Sequence, residues 1–238
     1  MELARNTADP TFGALSLDEV QICPQNCREQ LTPDVLAELR ELYPNVAFRL
    51  HANVRVLEKQ LMLDLADYRT RPDYWAALIS AHRHLQPRAY SLHAGKRSRA
   101  SLNDIFCYVQ ELEDTLGIPV GIEGLYPTPN DHFLLSTWGE YARLLDAGVY
   151  FAVDLSHLNI VAHAERRFDM TLTHELLSSP YCMEIHVSDN DGIHDAHLPI
   201  STPPWWHSIL NNIGQPSIIF FEGNLISSRE PIVERHTT

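Results

Sequence analysis

The sequence has few cysteines, few basic residues and no long apolar run, and each shortage excludes a class of protein. Four cysteines are scattered over 238 residues, which does not suit the disulfide framework of a small secreted domain, so we expect reduced thiols. No apolar stretch approaches the roughly 18 residues of a membrane span, and no signal peptide precedes the first predicted strand. We therefore predict a soluble, cytoplasmic protein that does not bind membranes.

Basic residues are outnumbered by acidic ones, and the chain also has no internal repeat or low-complexity segment. It contains 18 Lys and Arg against 31 Asp and Glu, a formal net charge of −13. This balance disfavours an extended nucleic-acid-binding surface, which needs clustered basic side chains. Bound metal ions would add positive charge that the formal count ignores, so a nucleic-acid partner is disfavoured but stays open.

Predicted strands and helices alternate along the chain, which is typical of parallel βαβ units. Residues 1–12 are polar and patternless, so we expect a flexible N-terminal tail, with residues 13–238 forming a single domain of barrel size. Helices are predicted from the N-cap Thr32 to just before Pro44, over Leu102–Leu116 and over Leu134–Leu145. Seven strands are predicted: one within 14–23, then 46–51, 88–93, 118–123, 149–154, 181–187 and 217–222.

Seven strands are one fewer than a closed (β/α)₈ TIM barrel contains. Either an eighth strand is poorly marked in the sequence, or the barrel is open where that strand would close it. An open barrel leaves unpaired backbone groups at its edge, which a helix or a partner subunit must cover. The fold class predicted is therefore α/β and TIM-barrel-like, and a homodimer is one way to cover an open edge.

Potential metal ligands stand at or just after the ends of the predicted strands. In a parallel barrel these ends meet at one rim. Imidazoles and carboxylates bind divalent metals, and nine of them exceed the four to six ligands of one ion. The sequence therefore predicts a multinuclear metal site formed by His51, His93, Glu123, Asp154, His157, His186, Asp195, His197 and Glu222.

Some of these residues have simpler interpretations. Asp154, at the start of Asp-x-x-His157, could be only a helix N-cap, but the strand before it and the other ligands favour metal binding. Glu123 and Glu222 each end an apolar strand, where a buried carboxylate needs a partner. Few basic residues lie in adjacent strands, so a metal is the favoured partner.

Two polar loops lie on the predicted rim. Lys96, Arg97 and Arg99 could grip a carboxylate or phosphate of a substrate, and a solvated basic loop is an equal alternative. In the loop after residue 187, we expect Asp189, Asp191 and His194 to form turns and face solvent, although Asp189 could instead orient an imidazole.

The ordered ligands resemble a known set. The order His, His, Glu, Asp-x-x-His, His, Asp-x-His, Glu at successive strand ends resembles the endonuclease IV and xylose-isomerase-like TIM-barrel superfamily, over residues 46–223. By this resemblance one ion would take His51, His93 and Glu123. A second would take Glu123, Asp154, His186 and Glu222, the expected catalytic ligands. A third would take His157, Asp195 and His197.

Several functions within that superfamily remain open. FAVDLSHLNIVAHAE and MEIHVSDNDGIHDAHLPISTPPWW resemble multinuclear non-haem iron-dependent oxidative enzymes, which implies two or three divalent ions, with iron favoured over zinc or manganese, and oxidation of a peptide or small thiol. A sugar isomerase or epimerase would need only the second ligand group. An abasic-site phosphodiesterase fits the whole set, but acidic charge and short loops disfavour it. A non-catalytic, metal-bound interaction module is the last alternative.

Overall fold

Seven short strands lie side by side in chain order and all run parallel in the computed structural model, which describes residues 8–9, 13–14, 16–24, 26–210 and 217–223. They curl into a nearly closed barrel, which confirms the predicted TIM-barrel-like α/β fold with seven strands. Their bounds are β1 Glu19–Ile22, β2 Ala47–His51, β3 Tyr90–His93, β4 Val120–Glu123, β5 Phe151–Asp154, β6 Cys182–Val187 and β7 Ile218–Phe221.

Helices connect the strands and pack their apolar faces against the outside of the sheet. Residues such as Leu36, Leu78 and Val109 are completely buried there, since recurrence of apolar residues every three to four positions gives a helix one core-facing side. The helices are α1 Pro33–Leu42, α2 Pro72–Leu85, α3 Leu102–Leu116, α4 Trp138–Asp146, α5 Leu155–Ala164, α6 Met170–Ser178 and α7 His207–Leu210, with a 3₁₀ turn at Leu65–Asp67.

Helix ends follow their capping residues. The Oγ1 atom of Thr32 accepts a hydrogen bond from the backbone N–H of Val35, and α1 begins at the next residue, as predicted. Helix α3 ends where Gly117 adopts φ +69°. Helix α4 begins four residues later than predicted, because Leu135 has φ +52° and Thr137 is the N-cap. The apolar pair Leu134 and Leu135, which precedes this helix, is buried in a bend of the chain.

Outside the seven-stranded sheet, the structure describes a separate two-stranded sheet near the N-terminus. A short hairpin pairs Ala8–Asp9 with Gly13–Ala14, at the boundary predicted between tail and domain. The rest of residues 1–12, and residues 211–212 of a helix that the sequence predicts around residues 205–212, lie outside the described residues. Among the described residues, β1 and β7 are the two ends of the sheet. None of the helices described has the length and hydropathy of a membrane span.

The register of the parallel strands sets the height of the polar side chains. His93 pairs with Glu123 across β3 and β4, and Asp154 pairs with His186 across β5 and β6. Because alternate residues of a strand point to the same face, these strand-end side chains share the barrel interior at its C-terminal mouth. The fold therefore brings the candidate ligands to one rim.

Candidate metal centre

Glu123 is surrounded by four imidazoles and is almost completely buried. Its Oε2 atom lies 3.4 Å from Nε2 of His51 and 3.3 Å from Nδ1 of His186. Its Oε1 atom lies 3.6 Å from Nδ1 of His157 and 3.9 Å from Nε2 of His93. The two oxygens thus face different pairs of imidazoles, so this carboxylate has the geometry to bridge two ions.

Asp154 has two roles, one for each oxygen. Its Oδ1 atom accepts backbone hydrogen bonds from Ser156 at 2.6 Å and His157 at 3.2 Å, and so caps α5. Its Oδ2 atom faces the cavity, 3.4 Å from Nε2 of His157. The capping and metal-binding interpretations of Asp-x-x-His are therefore compatible, because α5 starts directly at the strand end.

The remaining ligands lie on the more open side of the mouth. Asp195 Oδ2 lies 3.4 Å from Nε2 of His157 and 3.3 Å from Nε2 of His197. Glu222 faces Nδ1 of His186 at 3.2 Å with one oxygen and Nδ1 of His197 at 3.5 Å with the other. The nine predicted ligands thus form one continuous chain of contacts.

Three overlapping groups within this chain could each hold a cation, with ligand atoms mutually within 4.8 Å. They differ from the grouping that the resemblance implied: His186 joins the His51 group, and His157 lies with Glu123 and Asp154. His93 and His197 lie beside these groups at the contacts given above. The groups are His51–Glu123–His186, Glu123–Asp154–His157 and Asp154–His186–Glu222.

A divalent cation fits this centre because buried ligand atoms lack hydrogen-bond partners. Among the described residues, this is true of Glu123 Oε2, Asp154 Oδ2 and His186 Nδ1. Nδ1 of His186 lies 3.3 and 3.2 Å from carboxylate oxygens of Glu123 and Glu222 without forming a hydrogen bond to either. Buried polar atoms without partners are costly, and all three belong to the cation groups. A bound ion would satisfy each of them.

The electrostatics of the centre follow from burial and close opposite charges. Burial opposes ionisation of Glu123, but the neighbouring imidazoles, His186 foremost, hold its pKa well below the usual value. Burial lowers the pKa of His51 to about 3, so that imidazole is neutral at pH 7. Burial raises the pKa of Glu222 to about 7 despite the opposing effect of His186.

The two imidazoles beside Asp195 hold protons strongly. Burial disfavours the charge on His157, but Asp154 and Asp195 outweigh it and raise the pKa to about 10. A hydrogen bond to Asp195 raises the pKa of His197 to about 9. A metal ion must displace these protons to bind, so protons and metal compete for the same nitrogens.

The three basic residues predicted to bind substrate differ in their surroundings. Arg97 donates to both carboxylate oxygens of Glu140, at 2.6 and 2.8 Å, and to Asp131 at 3.0 Å. Its guanidinium is thus paired within the protein. Arg99 lies 3.8 Å from Asp67, and Lys96 is exposed. Substrate binding by these residues stays a prediction, and internal pairing accounts for Arg97.

The loop after β6 is held by turn contacts. Asp191 accepts hydrogen bonds from the backbone of Ile193 and from both the backbone and the ring of His194. Asp189 is half-buried and exchanges backbone hydrogen bonds with Leu198 in an antiparallel β-bridge that closes the loop. Asp191 and His194 are exposed and form a turn, as expected, whereas the expectation of a solvent-facing turn residue is wrong for Asp189.

Sequence reasoning missed a polar layer directly beneath the ligands. We call Gln21, Arg49, Ser91 and Glu184 the polar layer. Glu184 is fully buried and receives hydrogen bonds from Arg49 at 3.0 Å and Gln21 at 2.9 Å. Strand periodicity could have revealed it, since Glu184 precedes His186, and Arg49 precedes His51, by two residues. Asp64, 3.4 Å from Nδ1 of His93, was missed too because it follows no strand.

No protein-family model and no curated protein matches the chain. Solved structures do match. A D-tagatose 3-epimerase-like protein gives a TM-score of 0.60 at 20% identity, covering 86% of this chain and 81% of that one. An AP endonuclease of family 2 from Brucella melitensis gives a TM-score of 0.58 at 15% identity, and the match covers 92% of this chain and 86% of that one.

A third solved structure is also similar to this chain. A xylose isomerase domain containing protein from Salmonella typhimurium LT2 gives a TM-score of 0.57 at 14% identity, covering 90% of this chain and 82% of that one. At such identities the likeness concerns the fold. The chain has the fold of the xylose isomerase-like TIM-barrel proteins.

Proposed function

We propose that this protein is a metal-dependent enzyme whose barrel mouth holds two or three divalent cations. One observation carries the proposal: three overlapping cation groups share ligands, and each contains a buried atom that lacks a hydrogen-bond partner among the described residues. One ion cannot be close to all nine side chains, since it takes four to six ligands. An interaction module would have no need of so many converging ionisable groups.

We divide the ligands as the resemblance implies. His51, His93, Glu123, Asp154, His186 and Glu222 would hold two ions. His157, Asp195 and His197, in contact with one another through Asp195 at 3.4 and 3.3 Å, would hold the third. His157 is enclosed and also lies with Glu123 and Asp154, so it would connect the third ion to the other two. Imidazole and carboxylate ligands suit Fe(II), Mn(II) and Zn(II). With iron bound, the centre would supply redox chemistry, with dioxygen as the electron acceptor.

For the reaction, we propose oxidation of a peptide or small thiol. The support is the likeness of the two ligand-bearing segments to multinuclear iron enzymes, together with the placement of His157 and Asp195 in the same contact chain as Glu123. A mononuclear enzyme would have no use for that extension. The net charge of −13 disfavours a nucleic-acid substrate.

A sugar epimerase is the second candidate, and a separate observation favours it. Glu123 and Glu222 approach Nδ1 of the same imidazole, His186, at 3.3 and 3.2 Å. Two carboxylates beside one ion could remove and return a proton at a sugar carbon. One structural neighbour is itself epimerase-like.

Elemental analysis of protein purified without oxygen tests these proposals. Two or more irons per chain, with dioxygen consumed when a thiol or cysteine-containing peptide is added, would support the oxidase. A single manganese or cobalt with epimerisation of a ketose would favour the second candidate. Zinc with nicking of abasic DNA would overturn the oxidase.

A matched control comes from the neighbouring loop. The double variant Asp191→Asn/His194→Ala removes a carboxylate–imidazole pair that lies close in sequence to Asp195 and His197 but is exposed, belongs to a turn and is not among the nine predicted ligands. Its metal content should equal that of the unaltered protein. A loss equal to that of Asp195→Asn/His197→Ala would contradict the assignment of the third ligand group.

A further inference from the structure

The polar layer lies in the barrel interior, where bulky apolar side chains would normally fill the space. Arg49 is held between Glu19 and Glu184, and the Glu184 side chain has no exposed surface. Gln21 donates to Glu184 at 2.9 Å and to Ser91 at 3.3 Å. A buried charge pair is seldom favoured over apolar packing for stability alone, so the layer calls for a further role.

Contacts between this layer and the ligands above it suggest that role. The Oε2 atom of Glu184 lies 3.3 Å from Nε2 of His186. A carboxylate only accepts hydrogen bonds, so Nε2 of His186 carries the proton in this contact. The Nε2 atom of Gln21 also lies 3.1 Å from Nε2 of His186. Its two hydrogens have acceptors in Glu184 and Ser91, so this contact does not require a lone pair on Nε2 of His186. In a neutral imidazole, the lone pair is then left on Nδ1.

That nitrogen is the one that faces the cation groups. Nδ1 of His186 lies 3.3 Å from Glu123 and 3.2 Å from Glu222, and it is one of the buried atoms without a hydrogen-bond partner among the described residues. His186 also belongs to two of the three cation groups. A single orientation of the His186 ring therefore places Nδ1 beside the ligands of both groups.

We infer that Glu184 is a positioning residue: held by Arg49 and Gln21, it fixes the Nε2–H tautomer and the ring orientation of His186 so that Nδ1 binds metal. The inference rests on the proposed metal centre. On this inference the buried Arg49–Glu184 pair orients a metal ligand, which apolar side chains packed in its place could not do. Carboxylates that hold the second nitrogen of a ligating histidine typically contribute 10- to 100-fold in metal affinity.

The test uses Zn²⁺, which is diamagnetic, and two variants. Arg49→Met/Glu184→Leu removes both charges together, so no unpaired buried charge remains from this pair. Ile185→Val, at a completely buried residue of the same strand outside the polar layer, serves as the control for lost packing. Zn²⁺ affinity is measured by competition with a chelator, and the nitrogen through which His186 binds Zn²⁺ by ¹H–¹⁵N spectra of the Zn²⁺-loaded proteins.

We expect the double variant to bind its tightest Zn²⁺ about 10- to 100-fold more weakly, while Ile185→Val changes affinity less than about threefold. In the spectra of the Zn²⁺-loaded proteins, the resonances lost in His186→Asn should report an Nε2–H ring bound through Nδ1 in the unaltered protein, and a mixture of the two ligating nitrogens in the double variant. A purely structural layer would change the melting temperature without moving these signals.

Two results would overturn the inference while leaving the metal centre intact. One is native Zn²⁺ affinity and stoichiometry in the folded double variant. The other is binding of Zn²⁺ through Nε2 of His186 in the unaltered protein, which decides the matter even if the double variant does not fold. Failure of the unaltered protein to bind Zn²⁺ at all would instead overturn the proposed function, and the inference with it.

Discussion

Replacing Glu123 by Gln should remove the centre of the metal site while keeping the shape of the side chain. The two oxygens of Glu123 face four imidazoles at 3.3 to 3.9 Å. The amide oxygen of Gln is a weaker ligand, and the amide nitrogen cannot bind a cation. Because both of the ions in the buried core would share Glu123, we expect metal content to fall from two or three ions to one or none per chain.

The structure also sets the size of a stability effect in the metal-free protein. Glu123 is almost completely buried, and its pKa is held down chiefly by His186, against the effect of burial. Removing one partner of a buried, charged pair costs about 3–5 kcal/mol. For a chain of this length each kcal/mol lowers the melting temperature by about 2–4 °C, so the expected fall is about 6–20 °C.

The assay combines elemental analysis with thermal unfolding in chelator. Glu111→Gln is the matched control, because Glu111 pairs with Arg69 at the surface and exposed pairs contribute about 0–1 kcal/mol. Unchanged metal content in folded Glu123→Gln would refute the bridging role. An unchanged melting temperature in chelator would refute the electrostatic account of the metal-free centre.

Three further predictions test other parts of the site. Asp154→Asn and Asp154→Ala should lose metal equally, but Asn should be more stable by about 1 kcal/mol in thermal unfolding, because it still caps the helix. Between pH 7 and 9, Zn²⁺ affinity should rise about tenfold per pH unit for each proton displaced, since His157 and His197 have pKa values of about 10 and 9; a flat profile would exclude these ligands. Arg97→Met should lower stability by about 1 kcal/mol through lost contacts with Glu140 and leave metal content unchanged; a changed KM alone would instead support substrate binding.

The strands and the rim could be predicted from the sequence because their signals are local. An apolar run that ends in His, Asp or Glu predicts both a buried strand and a polar group at its end. Runs such as VYFAVD and SIIFFE therefore located β5 and β7 closely. Parallel topology then requires the ends to meet, since all strands point the same way.

Contacts that depend on three-dimensional detail could not be predicted in this way. The start of α4 depends on the positive φ of Leu135, which no periodicity reveals. The grouping of ligands depends on ring orientation: Nδ1 of His157 is 2.8 Å from the carbonyl oxygen of Gly124, which leaves Nε2 to face Asp154 and Asp195. A register shift in β5 between Phe151 and Ala152 also changes the positions of the strand-end side chains along the barrel axis.

Exposure divides the centre in a way that bears on the reaction. His51, His186, Glu123 and His157 are enclosed, whereas the side chains of His197, His93 and Asp195 are 29%, 25% and 18% exposed. A substrate entering from the mouth would meet these three side chains before the enclosed ones. Two of them, Asp195 and His197, are residues that a mononuclear epimerase would not need. A multinuclear enzyme would therefore use part of its additional ligand set, together with His93, to contact the substrate first.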